Sequence, residues 1–99
     1  MTDKLRKTLL QKISNIPGLV GFSPIDFSLK KRMLPEKDLA KGISFEDTPK
    51  GLLIRIAIFI DVDIRAKLVI KEINSSVKTI FKNNTTKFNK ISIYVMGVK

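Results

Sequence analysis

The chain predicts an α+β fold. The expected form is a two-layer α/β sandwich in the order α-β-β-β-α-β, a mixed sheet with a C-terminal βαβ unit and both helices on one face. Three observations carry this expectation. Leu52–Val62, LLIRIAIFIDV, is the longest apolar run and is rich in isoleucine, which favours strands. It is followed by a helical stripe, Ala66, Ile70, Ile73, Val77 and Ile80, and then by a second strand-like run, Ile91–Val98. A strand, a helix and a strand in sequence form a right-handed crossover, which sets the last strand parallel to the central one.

Taken in order, residues 3–15 read as an amphipathic helix. Asp3 is a candidate N-cap, and Leu5, Leu9, Ile13 and Ile16 recur on one face. Lys4, Arg6, Lys7, Gln11 and Lys12 lie on the other sides, and Asn15, Pro17 and Gly18 end the helix. Leu19–Ser23 is a short strand, with Val20 and Phe22 on one side and Gly21 permitting close approach; Pro24 ends it. Residues 25–41 form an irregular connection. Ile25, Phe27 and Leu29 alternate like a strand, while Pro35 before Glu36 suits the first turn of a short helix.

Residues 42–46 alternate again, with Ile43 and Phe45 inward. Asp47-Thr48-Pro49-Lys50-Gly51 is a turn that folds this strand against the central one as a hairpin. On the central strand, Leu52, Ile54, Ile56, Ile58 and Ile60 share the face that the helices cover. Leu53, Arg55, Ala57, Phe59 and Asp61 share the other. Asp61 or Asp63 is expected to cap the second helix, which runs to about residue 82, with Phe81 beside its stripe. Asn83-Asn84-Thr85-Thr86 is a polar breaker. On the last strand Ile91, Ile93 and Val95 oppose Ser92, Tyr94, Met96 and Val98.

At 99 residues the chain is expected to be a single domain, 1–99, that buries roughly two thirds of its unfolded surface. Its 43% hydrophobic and 28% charged residues argue against wholesale disorder. Cysteine and histidine are absent, which removes disulfides, thiolate chemistry, histidine metal sites and histidine acid–base catalysis. Phosphate-binding glycine loops and calcium-loop spacings are absent too. A non-enzyme without cofactor or small-molecule substrate is therefore expected. The first eighteen residues lack the apolar core of a secretion signal, and the central run is shorter than the ~20 residues of a membrane span. A soluble, cytoplasmic protein is expected.

The net charge is +10, from 19 basic and 9 acidic residues, and favours anionic partners. The same lysine and isoleucine excess also arises from AT-rich codon usage, so charge alone does not identify a partner. Two interaction readings follow. In the first, Arg55, Ala57, Phe59, Tyr94 and Met96 form a surface on the outer face of the sheet through which the protein self-associates or binds another protein. A cover formed by residues 25–41 is the rival use of that face. In the second, the protein is a small nucleic-acid-binding module whose anion contacts are Lys30, Lys31, Arg32, Lys37 and Lys41. Few aromatic residues are placed to stack on bases, which favours the first reading.

Several ordered blocks resemble the alkaline shock protein family. Asn15-Ile16-Pro17-Gly18-Leu19-Val20-Gly21 after an amphipathic helix is similar to its "(I/V)-x-G-V" block. Lys41-Gly42-Ile43 is similar to its "K-G-V" strand start, and Ile91-Ser92-Ile93-Tyr94-Val95-Met96-Gly97-Val98 to its "V-N-V-x-V-x-G-V" ending. The resemblance runs from about residue 5 to the end. It differs in lacking a strand before the first helix, and in having Asp61-Val62-Asp63 where the family carries a glycine. The resemblance implies a small, N-terminally shortened, non-enzymatic protein of bacterial cell-envelope stress or homeostasis. Such a protein is cytoplasmic and held near the membrane by an anchored partner.

Overall fold

In the computed structural model, which describes residues 3–82 and 87–99, strand β3 (Gly51–Ile60) is the axis to which every other strand is joined. Strand β4 (Phe88–Val98) runs parallel along one edge of β3. The other edge is shared by two antiparallel strands laid end to end. Strand β2 (Ile43–Thr48) takes the N-terminal half of β3, and β1 (Leu19–Phe22) takes the C-terminal half. Helices α1 (Asp3–Ser14) and α2 (Ala66–Lys82) complete the α-β-β-β-α-β order, with a short 3₁₀-helix over Glu36–Gly42. The α+β class and the mixed sheet are as expected.

The core lies between the helices and the even-numbered face of β3. Leu52, Ile54, Ile56, Ile58 and Ile60 pack with Leu5, Leu9, Ile13 and Ile16 from α1 and its exit, and with Val69, Ile73, Val77 and Phe81 from α2. Isoleucine suits this layer because its branched side chain stands off the pleat and fills space between helix ridges. Helix α2 buries Ile73 and Val77 as expected, with Ala66 and Ile80 packed at the margin of the core, but its inward line differs at the ends. Val69 and Phe81 are inward with Ile73 and Val77, whereas Ile70 is only half-buried. The four inward residues are spaced by four and form one line along the helix. Val69 is held inward because the first turn of α2 lies against Gly18, where a Cβ would come within 2.9 Å of a Val69 methyl.

Other boundaries also shift. Asp61 does not cap α2: its carboxylate accepts the Asp63 N–H at 2.8 Å, its carbonyl accepts the Ile64 N–H at 3.1 Å, and the helix begins only at Ala66. Aspartate satisfies its own local turn here in preference to a helix end. In β1 the register slips between Leu19 and Gly21, so Leu19 and Phe22 face the helices while Val20 is 42% exposed. An extra residue in one strand inverts the alternation beyond it. The hairpin is tighter than expected. Thr48 pairs with Gly51 and only Pro49-Lys50 turns, with Gly51 at φ 122°. Residues 25–29 are not a strand, and the breaker at 83–86 lies outside the described residues.

The connection between β1 and β2 leaves the sheet and returns to nearly the same point. Ser23 still donates its N–H to Ala57 at 3.0 Å, and Ile25 donates to the Lys41 carbonyl at 2.9 Å. Gly42 packs so close to Phe22 that a Cβ would sit 2.8 Å from that residue's own Cβ. What leaves and what returns are therefore neighbours, and residues 24–41 form a closed excursion.

Candidate interaction surface

The excursion crosses the outer face of the sheet. Phe27 packs edge to face against Tyr94, with ring centroids 5.1 Å apart. Met33 lies against Gly21, where a Cβ would meet its side chain at 2.9 Å. Leu34 donates its N–H to the Phe22 carbonyl at 2.7 Å, which covers the outer edge of β1. This segment is held by packing and by β1 rather than by a strand of its own, and it acts as a cap.

The residues expected to form an outer surface are consequently divided. Ala57 and Phe59 are 0% and 2% exposed, so neither is available for contact. Phe59 lies against Gly97, whose position leaves 3.1 Å between a built Cβ and the ring, and the Lys99 ammonium sits 5.1 Å from the ring centroid. Tyr94 is half-buried opposite Ala57, under Phe27. Met96 does not join the row: a register slip between Ile58 and Phe59 brings Gly97 opposite Phe59 and leaves Met96 as the extra residue. Arg55 stays at the surface and donates from Nη1 to Glu46 Oε1 at 3.1 Å.

The expected anion contacts are brought together only in part. Lys30, Lys31 and Arg32 are all exposed on the cap. Lys37 and Lys41 lie on the 3₁₀-helix, where Lys41 pairs with Asp38 at 3.5 Å. Around the basic triplet are three exposed apolar side chains, two of which, Phe27 and Leu29, alternate like a strand in the sequence. Phe27 is 56% exposed, Leu29 51% and Met33 38%. The signal for them was present, since apolar residues alternating between Pro24 and Pro35 have no long strand to join.

The tip of the cap is a built turn. Ser28 donates its hydroxyl to Asp26 Oδ1 at 2.6 Å and its N–H to the same oxygen at 3.0 Å, and Leu29 donates its N–H to the Asp26 carbonyl at 3.0 Å. The side-chain bond from Ser28, then its backbone bond, hold the Asp26 carboxyl below its ordinary range. The turn sets Phe27 and Leu29 without burying them.

Chemistry of other kinds finds little support. Among the described residues no three acidic side chains converge on a common point that would hold a metal ion. A shallow groove of about 430 Å³ lies between Pro17, Ile64, Leu68, Lys71 and Glu72. No helix among the described residues is long and apolar enough to cross a membrane. No family model, curated protein or solved structure matches the chain.

Proposed function

We propose that the chain is a non-enzymatic interaction protein that docks on an anionic membrane surface through the cap over its outer sheet face. One observation carries this reading. Within Phe27–Met33, three exposed apolar side chains surround the basic triplet Lys30-Lys31-Arg32. Basic side chains near an anionic leaflet are worth about 1 kcal/mol each, and neighbouring apolar groups gain by entering the headgroup boundary. The Asp26 turn fixes the apolar pair beforehand, which lowers the ordering cost of docking. The overall charge of +10 acts in the same direction at longer range.

The cytoplasmic leaflet is the surface we assign to it. The resemblance to the alkaline shock family points to the same setting, an envelope-associated scaffold. Nucleic acid would use the same triplet but would leave Leu29 and Met33 in water. The one aromatic pair beside the triplet, Phe27 with Tyr94, is already packed edge to face rather than open for stacking.

Sedimentation with vesicles tests this. Binding is expected to phosphatidylcholine vesicles containing phosphatidylglycerol and not to phosphatidylcholine alone, and to weaken as salt rises. Serine at 30, 31 and 32 removes about 3 kcal/mol, about a hundredfold in affinity. Leu29→Ser weakens binding without changing its salt dependence. Equal sedimentation with both vesicle types, or tight binding to a single-stranded oligonucleotide with none to either vesicle, would sink the proposal.

A further inference from the structure

We infer that a second copy of this chain pairs antiparallel with the free edge of β4, independently of what the cap binds. β4 spans 11 residues, and among the described residues it pairs with β3 alone. Half of its peptide groups therefore face away from the sheet. Edge strands in stable monomers carry charges, prolines or covers that block pairing. The other edge of this sheet has them: Leu34 covers β1, and β2 carries Glu46 and Asp47. β4 contains no proline, and Lys90 is its one charged residue. Its helix-side row is also incompletely covered, with Val95 38% exposed.

The strand's own register selects a second copy as the occupant. Between its two irregularities, residues 90–95 follow β3 without a break. Ile91, Ile93 and Val95 lie opposite Ile54, Ile56 and Ile58, on the helix side; Ser92 and Tyr94 lie opposite Arg55 and Ala57, on the cap side. A two-fold axis at Ile93 keeps every pair on a common face. Ile93 meets Ile93 of the second copy, Ile91 meets its Val95, and Ser92 meets its Tyr94. The apolar rows join, and Val95 is covered. Lys90 falls opposite Met96 of the second copy rather than opposite another lysine. Such cross-strand apolar pairs are the stabilising unit of a sheet.

The product is one continuous sheet with the helices of both copies on one side. Each copy carries +10, so added salt strengthens this association by screening repulsion. That is the reverse of its effect on docking to anionic vesicles, so the two readings fail separately.

Sedimentation velocity over a concentration series, with amide hydrogen exchange at both ends of it, tests the inference. A dimer is expected whose β4 amides gain protection as concentration rises. Val95→Lys should raise the dissociation constant by at least about tenfold, while Val20→Lys, a half-exposed valine on β1, should leave it unchanged. Circular dichroism checks that each variant folds. Should Val95→Lys not fold, wild-type exchange decides. A monomer up to millimolar concentration overturns the inference, and so does a dimer whose β4 amides gain no protection.

Discussion

Phe59→Ala distinguishes a capped sheet from an open one. On an open outer face, a phenylalanine between Arg55 and solvent would contribute little, since surface substitutions change stability by about 0.5 kcal/mol or less. In the structure the ring is 2% exposed, lies against Gly97 and sits under the Lys99 ammonium. Truncating a phenylalanine so enclosed costs about 3–5 kcal/mol, the lost transfer energy plus the cavity left behind. That is a large part of the ~5–15 kcal/mol of a typical domain. With a urea slope of about 2 kcal/mol/M, the unfolding midpoint should fall by about 2 M. The assay is equilibrium urea unfolding followed by far-ultraviolet circular dichroism, with slope and midpoint fitted together. A loss below about 1 kcal/mol at unchanged slope would refute the reasoning. The cap would then not enclose the outer face, and the sheet would be two-layered as the alternation alone implies.

Three further outcomes follow from particular contacts. Gly51→Ala should destabilise the hairpin by about 1–3 kcal/mol, because φ is 122° and the new Cβ would sit 2.8 Å from the Lys87 carbonyl oxygen; thermal unfolding measures it. Ser23→Ala should leave stability unchanged or raise it by up to about 1 kcal/mol, because the buried Ser23 hydroxyl finds no hydrogen-bond partner among the described residues; a clear loss in a urea titration would argue for a hidden partner. The Asp26 turn should be insensitive to pH above about pH 5 and loosen only in acid. Its carboxyl is depressed in the folded state, so its contribution is complete above the unfolded value and fades as pH falls through the lower folded one. The Ser28 amide resonance should report that titration, and Asp26→Ala should abolish it.

What was legible in the sequence was whatever depends on strong periodicity. The isoleucine row of β3 and the Leu5, Leu9, Ile13 and Ile16 stripe of α1 read directly into the core, because burial enforces their spacing. The parallel pairing of β4 followed from the helix between the strands. Features that invert a period were hidden. The slips at Val20 and Met96 each insert one residue, and nothing in the local composition marks where the alternation breaks. On α2 the expected Ile73 and Val77 are buried, but Val69 takes the place read for Ile70, which is equally apolar; contact with Gly18 decides between them. The outer face was legible as apolar, and residues 25–41 as one candidate cover for it, but which side chains make the contact was not. Phe27, Leu29 and Met33 belong to no regular element, so their packing depends on where the chain re-enters the sheet.

That re-entry has a bearing on how the protein can change. The excursion between β1 and β2 departs at Ser23 and comes back at Gly42, adjacent along a single edge of β3. Its length is nearly free, since doubling a loop costs only about 0.6 kcal/mol in closure entropy. Its feet are not, because Gly42 has no room for a side chain beside Phe22. The molecule thus separates an invariant base from a replaceable insert. If the cap docks as proposed, substitutions at the tip, from Phe27 to Arg32, would retune that docking while the helices and β3 are untouched. Changes near Met33 and Leu34 uncouple the insert from its base. A library of tips grafted between Pro24 and Pro35 would sample new binding specificities on one unaltered scaffold.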